Sequence, residues 1–356
     1  MFIKSLTLRN FRNYASLHVL FGPGLNVIYG KNGQGKTNLL EAVHIICTGR
    51  SFRTRDFSHL MRKDNGETFT LAAEIEKDGF AETITIHCEG EKREVRTNQG
   101  KSPYLASLLG TLPIIFLSAN DPSLISGLPN ERRRFFDLHL AQIDPLYLQY
   151  LNRYHKALKQ KNALLRSKDL SLLAPWEKIM AQSAQYIIQR RSTFISELEP
   201  KMRTWVDALS LHNETLSLSY RCSLSSSQSE EEIILFWQKE REKEMQREMT
   251  LHGPHRDDIV IEISGQQARA FASEGQKRTC GTALCFAEWQ AMKERLQQPP
   301  LLAIDDFGVQ LDPYRREQLH TQLQSFGQVF LTLPDPDPSL LSTEGAKLLH
   351  IDSGTL

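Results

Sequence analysis

The stretch that decides the fold is Gly30-Lys31-Asn32-Gly33-Gln34-Gly35-Lys36-Thr37. It fits the pattern G-x-x-x-x-G-K-[ST], in which main-chain N–H groups surround phosphates, a lysine reaches the β- and γ-phosphates and a hydroxyl binds Mg²⁺. Because the pattern fixes few positions, a glycine-rich turn without a ligand is the alternative interpretation. The flanking sequence favours the phosphate loop: 25–29 is typical of a buried strand, and 38–46 has the apolar spacing of a helix.

Composition places the chain among ordinary globular proteins. Its 356 residues are 40% hydrophobic and 24% charged, and the formal net charge is +1. A nucleic-acid partner would therefore have to be recognised by a local basic patch. No apolar run approaches the roughly 18 residues that a membrane span needs, and residues 1–8 alternate like a strand rather than resembling a signal peptide. We therefore expect a cytoplasmic protein with no membrane partner.

The sequence gives little support for a structural metal or a disulfide framework. Its five cysteines are scattered and include no C-x-x-C pair. His252 and His255 lie three residues apart beside Asp257 and Asp258, a spacing that is open to metal binding. The intervening Gly253-Pro254 favours a loop in which these side chains have a structural or capping role.

Strand and helix patterns change along the chain. The first part contains short strands, with a hairpin that turns near Asp78-Gly79. The middle is rich in helix formers, and its spacing predicts helices over 131–140, 145–167, 176–208 and within 230–249. The last part returns to strands, which alternate with predicted helices at 274–297 and 313–325. Such alternation is typical of a parallel sheet.

These patterns predict an α/β fold with two lobes. Residues 1–120 and 250–356 would form one mixed-sheet lobe around the phosphate loop. Residues 121–249 would form an α-helical lobe inserted between the two halves.

The apolar stretch 301–304 is followed by two carboxylates, Asp305 and Asp306. A carboxylate at the end of a strand beside a phosphate loop is where Mg²⁺ obtains a second protein contact, so we expect Thr37 and Asp305 to hold the metal. Asp306 is placed to orient an attacking water or accept its proton. The alternative is that both are solvated acids at a strand end or a helix cap.

Ser273-Glu274-Gly275-Gln276 opens a predicted helix and, taken alone, is a capped helix whose N-terminus attracts anions. Together with the two preceding motifs it resembles the Ser-Gly-Gly-Gln signature of ABC-type ATPases. In that class the signature of one subunit closes on the γ-phosphate held by the loop of another. The interval between loop and signature is much longer here than in the ATP-binding subunits of membrane transporters, which are the alternative class.

Several further motifs, in the same order, are similar to those of the RecF family of bacterial recombination and gap-repair ATPases. The resemblance covers nearly the whole chain. It is carried by Leu8-Arg9-Asn10-Phe11-Arg12-Asn13-Tyr14, Thr48-Gly49-Arg50-Ser51-Phe52-Arg53, Gly127-Leu128-Pro129-Asn130-Glu131-Arg132-Arg133-Arg134-Phe135-Phe136-Asp137, Gly253-Pro254-His255-Arg256-Asp257-Asp258 and Leu311-Asp312-Pro313-Tyr314-Arg315-Arg316.

The resemblance implies an ABC-type head with a helical lobe, related to SMC proteins but without their long coiled coil. It implies ATP with Mg²⁺, ATP-dependent homodimerisation and slow hydrolysis. It also implies binding to duplex DNA and to single-strand/double-strand junctions at gaps, with RecR and RecO as partners in recombinase loading, in the cytoplasm at the nucleoid. The nucleotide contacts would be residues 30–37 with Arg12, Ser273, Gly275 and Gln276, and Lys36 and Asp306 would act in catalysis.

Three departures from the family pattern concern the surroundings of the site. Ala119-Asn120-Asp121 stands where the family usually has Pro-Glu-Asp, and Gly308-Val309 replaces an aromatic-serine pair. The stretch 333–338 is a proline-broken acidic loop at the position where many ABC ATPases have a histidine that senses the γ-phosphate. These departures bear on the hydrolysis rate more than on nucleotide binding.

Basic and aromatic side chains near the motifs leave alternatives open. The run Arg132-Arg133-Arg134 could neutralise DNA phosphates, although consecutive arginines on a helix point in different directions. Arg9, Arg12, Arg50 and Arg53 could reach phosphates of nucleotide or DNA, and Arg12 could also flank the adenine. For Tyr14 the two interpretations are stacking on adenine and packing in the core.

Overall fold

The computed structural model describes residues 1–62, 67–118, 123–209, 215–306, 322–323, 325–335 and 345–355. The chain divides into two compact units. The first unit comprises Met1–Asp121, Ala208–Ser210 and Cys285–Leu356. The second comprises Pro122–Asp207 and Leu211–Leu284.

The described strands, in chain order, are β1 (Phe2–Phe11), β2 (Tyr14–Leu20), β3 (Leu25–Tyr29), β4 (Thr68–Lys77), β5 (Phe80–Glu89), β6 (Lys92–Thr97), β7 (Gly100–Ser102), β8 (Ile114–Ser118), β9 (Leu216–Arg221), β10 (Asp258–Ile263), β11 (Gln266–Gln267), β12 (Leu301–Asp305), β13 (Val329–Leu333) and β14 (Lys347–His350). The described helices are α1 (Lys36–Thr48), α2 (Ser123–Ser126), α3 (Pro129–Ile143), α4 (Pro145–Ser167), α5 (Leu173–Leu209), α6 (Glu230–Arg247), α7 (Ala268–Phe271) and α8 (Glu274–Leu296).

A parallel sheet carries the phosphate loop. Its five strands follow the order β14-β3-β13-β12-β8, and every neighbouring pair is parallel. The two strands β12 and β13 are buried along their whole length, because both faces of the sheet are covered there. The buried β12 and β13 have the bounds that the sequence predicts. Since β3, β13 and β12 are adjacent, the residues that follow β3 and β12 meet at one edge of the sheet.

An antiparallel sheet of six strands, in the order β2-β1-β4-β5-β6-β7, packs against the same core. The predicted hairpin joins β4 and β5, and its turn residues Asp78 and Gly79 both have positive φ, 52° and 82°. Two positive φ angles match the two-residue turn that suits the twist of a hairpin. The shared core includes α1, whose residues from Leu39 to Thr48 are all buried. The core thus fixes the direction in which α1 leaves the loop.

The second unit is mainly helical, as the sequence predicts, and α4 has the predicted bounds. It also contains a small antiparallel sheet, β11-β10-β9, that sequence reasoning missed in part. The apolar-polar alternation of residues 216–221 was the available signal for β9. The second unit includes β10, which pairs with β9, and its last segment runs to Leu284, whereas the sequence predicts a boundary at residue 250.

Arg191 joins the helices of the second unit to the Gly253–Asp258 segment. It is 2% exposed, and its Nε and Nη2 donate to the two carboxylate oxygens of Asp137 on α3, both at 3.0 Å. Its Nη1 donates to the carbonyl of Pro254 at 2.7 Å. Because the guanidinium has these carboxylate and carbonyl partners, an arginine is accommodated in a helical core.

A second buried ion cluster joins three helices. Lys161 of α4 is fully buried, and its Nζ lies 3.1 Å from Glu177 Oε1 on α5 and 2.8 Å from Glu244 Oε2 on α6. Glu177 also accepts a hydrogen bond from Arg241 at 2.8 Å. The Lys161 ammonium lies 4.6 Å from the ring centre of Trp237. Removing the lysine would leave two buried carboxylates short of a counter-charge.

We therefore expect Lys161→Met to lower the free energy of unfolding by about 3–5 kcal/mol, the cost of breaking a buried ion pair by removing one partner. Lys159→Met is the matched control, because it makes the same change at an exposed position of the same helix and should stay within about 0.5 kcal/mol of wild type. Urea unfolding followed by circular dichroism measures both. Equal midpoints for the two variants would contradict this account of the cluster.

Candidate functional site

The phosphate loop connects β3 to α1 at the carboxyl edge of the parallel sheet. Gly35, just before α1, has φ of 121°, and a Cβ there would lie 2.6 Å from Asn13 Nδ2 and 2.8 Å from the Tyr14 hydroxyl. Both the backbone angle and the close contacts require glycine at this position. The turn between β1 and β2 thus packs directly on the loop.

Lys36 folds back across the loop that precedes it. Its Nζ donates to the carbonyl oxygens of Gly30 at 2.5 Å and Lys31 at 3.0 Å. Burial lowers the pKa of Lys36, and the negative charges of Asp306, then Asp305 and Asp335, act in the opposite direction. The ammonium is therefore held by two carbonyl oxygens of the loop, within the electrostatic field of these three carboxylates.

Thr37 and Asp305 meet as the sequence predicts. Thr37 Oγ1 donates to Asp305 Oδ1 at 3.0 Å, and Thr332 Oγ1 donates to the same oxygen at 2.7 Å. Burial raises the pKa of Asp305, and the neighbouring Asp306 raises it further, while the two hydroxyl bonds lower it. A hydroxyl and a carboxylate oxygen are hard ligands of the kind that Mg²⁺ prefers, so this donor set fits the metal.

Asp306 lies where the chain leaves β12. Its φ of 55° is left-handed, and its N–H donates to Thr332 Oγ1 at 2.7 Å. Among the carboxylates near Lys36, Asp306 makes the largest contribution to the lysine's pKa. Lys36, Thr37, Asp305 and Asp306 therefore form one cluster in the first unit.

Arg12 has structural partners on both sides of its guanidinium. Its Nε and Nη2 donate to the two carboxylate oxygens of Glu41, each at 2.8 Å, and its Nη1 donates to the carbonyl of His59 at 2.8 Å. Glu41 is fully buried in α1 and also accepts a hydrogen bond from Ser51 at 2.5 Å. The arginine thus anchors the β1–β2 turn to α1, and a nucleotide contact by Arg12 stays a prediction.

Tyr14 is a core residue. It is fully buried, and its hydroxyl donates to the carbonyl of Gly35 at 2.9 Å. Burial raises the pKa of this phenol. Of the two sequence-based interpretations, the structure favours packing, because a buried ring has no free face for an adenine.

The signature segment lies in the second unit. Ser273 and Gln276 form a reciprocal capping box at the start of α8: Ser273 N–H donates to Gln276 Oε1 at 2.7 Å, and Gln276 N–H donates to Ser273 Oγ at 3.2 Å. Ser273 and Glu274 are exposed, and Gly275 is half-buried. The start of this 23-residue helix is thus presented at the surface of its unit.

The arginine run and the histidine pair are largely structural. Arg132 is buried and donates to both carboxylate oxygens of Asp258, at 2.9 and 2.8 Å, and Arg133 donates to the carbonyl of Asp257 at 2.5 Å.

His255 Nδ1 lies 2.7 Å from the Tyr154 hydroxyl, and burial lowers the pKa of this histidine to about 4. Among the described residues, no group of His, Cys, Asp or Glu has the arrangement of a metal site.

Sequence reasoning missed the residues that support the loop from a distance. Thr332 bonds to Asp305, Asn13 Nδ2 donates to the Gln34 carbonyl at 2.9 Å, and Ser353 N–H donates to Gln34 Oε1 at 2.5 Å. Asn13 and Ser353 lie 21 and 319 residues from Gln34 along the chain, so no local pattern links them. Several predicted features lie outside the described residues: the motif at Leu311–Arg316, positions 313–321 and 324 of the predicted helix, and the departures at 119–121 and 308–309.

Comparison with known proteins places these features in a family. Residues 2–334 match the family described as RecF/RecN/SMC N terminal domain. The DNA replication and repair protein RecF of Protochlamydia amoebophila (strain UWE25) is 42% identical over 341 residues, which are 94% of this chain and 95% of that protein.

Two solved structures are similar in fold. One is the recombination mediator protein RecF-ATP of the RecFOR pathway, with a TM-score of 0.89 and 28% identity over 99% of this chain and 96% of that one. The other is an SMC head bound to the C-terminal winged-helix domain of ScpA, with a TM-score of 0.56 and 14% identity over 94% and 90%. The second likeness concerns the fold alone. Within the described ranges, no helix has the length and apolar character that crossing a bilayer requires.

We expect Asp305→Asn to stabilise the ligand-free protein, by about 0.5–2 kcal/mol at neutral pH, because it removes a buried charge while an oxygen remains to accept the threonine hydroxyls. The pKa of Asp305 is raised in the folded state, so its ionisation destabilises the fold fully above that pKa. The advantage of the variant should therefore shrink as the pH falls toward the ordinary aspartate pKa of 3.8.

Thermal unfolding of both proteins between neutral and acidic pH measures this difference. Asp207→Asn, at an exposed position, is the control and should leave the curve unchanged. A destabilised Asp305→Asn at neutral pH would show that the carboxylate charge holds the site together instead of straining it.

Proposed function

This chain belongs to the RecF family of DNA replication and repair proteins, and on that premise we propose that it is an ATP-switched DNA-binding protein. The observation that carries the proposal is the convergence of Lys36, Thr37, Asp305 and Asp306 at the edge of one sheet, with Thr37 bonded to Asp305 at 3.0 Å. Residues far apart in sequence meet there with the chemistry of a nucleotide site.

ATP is the proposed ligand of residues 30–37. The likeness to RecF-ATP over nearly the whole chain supports this choice. The loop's N–H groups and the N-terminus of α1 would hold the phosphates, and Lys36 would give up its contacts to Gly30 and Lys31 for phosphate oxygens. Arg12 is a proposed further contact at the nucleotide, next to Glu41.

Mg²⁺ is the proposed metal, held by Thr37 and Asp305. Bound there, it would neutralise charge on the β- and γ-phosphates. Thr332 keeps Asp305 Oδ1 oriented toward Thr37 by donating to the same oxygen. Asp306 would orient the attacking water and accept its proton, and Lys36 would stabilise the charge that develops on the transferred phosphoryl group.

Ser273, Gly275 and Gln276 are the proposed second half of the site, contributed by another copy of the chain. The capping box fixes the start of α8, and a helix N-terminus attracts anions. Ser273 at this N-terminus is exposed. A γ-phosphate bound between the loop of one copy and the signature of the other would favour the dimer, because ADP offers no such bridge. Slow hydrolysis would then reset the switch.

DNA is the proposed macromolecular ligand, in duplex form and at single-strand/double-strand junctions of gaps. RecR, with RecO, is the proposed partner, supported by the likeness to a RecF of the RecFOR pathway. A cytoplasmic protein located at the nucleoid is the proposed setting, because DNA is the proposed ligand. The family match gives no support to the alternative of a transporter's ATP-binding subunit.

We expect Asp306→Asn to retain ATP and to accumulate the dimer, with phosphate release reduced at least about 100-fold, the contribution of a positioned general base. Sedimentation velocity with and without ATP measures the mass, and steady-state phosphate release measures turnover. Lys36→Ala is the control that should stay monomeric in ATP. If neither wild type nor Asp306→Asn changes mass with ATP, the proposal that ATP drives dimerisation is wrong.

The same proteins test DNA binding. The affinity of Asp306→Asn for a gapped duplex should rise with ATP and fall with salt, at a slope that counts the phosphates contacted. An affinity that is equal with and without ATP at every salt concentration would show that DNA binding does not depend on the nucleotide switch.

A further inference from the structure

Gln34 is the residue of the phosphate loop that is flanked on both sides by glycines with positive φ. It lies between Gly33 and Gly35, whose φ angles are 81° and 121°. Because glycine lacks a Cβ, the peptide planes on both sides of Gln34 have a wide range of rotation. A loop that must present N–H groups to an anion therefore needs a restraint from outside at this residue.

Two distant segments supply that restraint. The Gln34 carbonyl accepts hydrogen bonds from Asn13 Nδ2 at 2.9 Å and from Gly354 N–H at 3.1 Å. The Gln34 side-chain oxygen accepts from Ser353 N–H at 2.5 Å and from the Ser353 hydroxyl at 3.2 Å. All four donors lie in the first unit. Gln34 is thus held by both its main chain and its side chain.

The turn of residues 352–355 is itself firmly placed. Asp352 N–H donates to the Thr355 carbonyl at 3.0 Å, and Thr355 N–H returns a bond to Asp352 at 2.8 Å. Just before the turn, Ile351 N–H donates to the carbonyl of Tyr29, the last residue of β3, at 2.8 Å. The turn is therefore tied to the strand from which the loop starts.

Holding the Gln34 carbonyl sets the direction of a loop donor. In a trans peptide the C=O and the following N–H point in opposite directions, and the described chain contains no cis peptide. Fixing the Gln34 oxygen toward Asn13 and Gly354 directs the Gly35 N–H away from them. The Tyr14 hydroxyl acts in the same way on the next peptide, by donating to the Gly35 carbonyl at 2.9 Å.

We propose that the turn of residues 352–355 is a latch that orients the N–H donors of the phosphate loop, with Ser353 and Gly354 as positioning residues for nucleotide phosphates. The inference rests on the proposed function in one respect, since it takes ATP as the ligand of the loop. It assigns to a segment more than 300 residues from the loop a direct role in phosphate affinity.

A matched pair of glycines tests the latch. Gly354 has φ of 78°, and a Cβ there would lie 3.1 Å from the Asn13 carbonyl oxygen and 3.3 Å from Asn13 Nδ2. Gly345 has φ of 77°, and a Cβ there would meet nothing within 4 Å. Alanine therefore imposes similar backbone strain at both positions. Only the Gly354→Ala methyl group would contact Asn13, which donates a hydrogen bond to the Gln34 carbonyl as Gly354 does.

The measurement is the Kd of MgATP, by equilibrium titration, together with competition by pyrophosphate, which occupies the phosphate loop without a base. Gly354→Ala should lower the affinities for MgATP and for pyrophosphate about tenfold each, the loss expected when one hydrogen bond in a charged site is weakened. Gly345→Ala should stay within about twofold of wild type.

Equal affinities of Gly354→Ala and Gly345→Ala would overturn the latch, as would a loss for ATP without a parallel loss for pyrophosphate. Thermal unfolding of both glycine variants shows whether each is folded at the temperature of the titration, so that a lower affinity of Gly354→Ala can be assigned to the loop and not to general unfolding. The proposed function fails differently: wild type would then bind no ATP at all, whereas a failed latch leaves wild-type binding intact.

Discussion

The site depends on a buried carboxylate, that of Asp305, held between two hydroxyl donors. Thr37 and Thr332 both donate to Asp305 Oδ1, at 3.0 and 2.7 Å. One donor lies in the first turn of α1 and the other belongs to β13, so the contact requires β3, β13 and β12 to be neighbours in the parallel sheet. The order of the strands thus brings the phosphate loop to the two carboxylates. A charge that is costly to bury is retained where a metal would compensate it.

The parts of the site that are local in sequence could be predicted from it. The loop, the two strand-end carboxylates and the capping box each occupy a few consecutive residues, and apolar periodicity gave α4, β12 and β13 their bounds. Other contacts could not be predicted, because they join segments that only the folded sheet brings together. Thr332 on Asp305 and Ser353 on Gln34 are of this kind.

Charged residues were the hardest to assign from sequence. Arg12 and Arg132 look like phosphate ligands in a one-dimensional pattern, and in the structure each makes a two-bond contact with a carboxylate, Glu41 and Asp258 respectively. A nucleotide contact by Arg12 stays a prediction. Pattern cannot reveal such partners, since they lie 29 and 126 residues away. The same limit applies to the second unit, since the pairing of β10 with β9 joins segments that no local pattern connects.

In the proposed dimer, one ATP is enclosed by the phosphate loop of one copy, residues 30–37, and the signature of the other copy, residues 273–276. Mixing Lys36→Ala, which has an intact signature, with Ser273→Arg, which has an intact loop, tests it directly by sedimentation velocity in ATP. Each variant alone should remain monomeric, and the equimolar mixture should form a dimer, because one complete site then assembles across the interface. A mixture that sediments as the sum of two monomers would contradict the account.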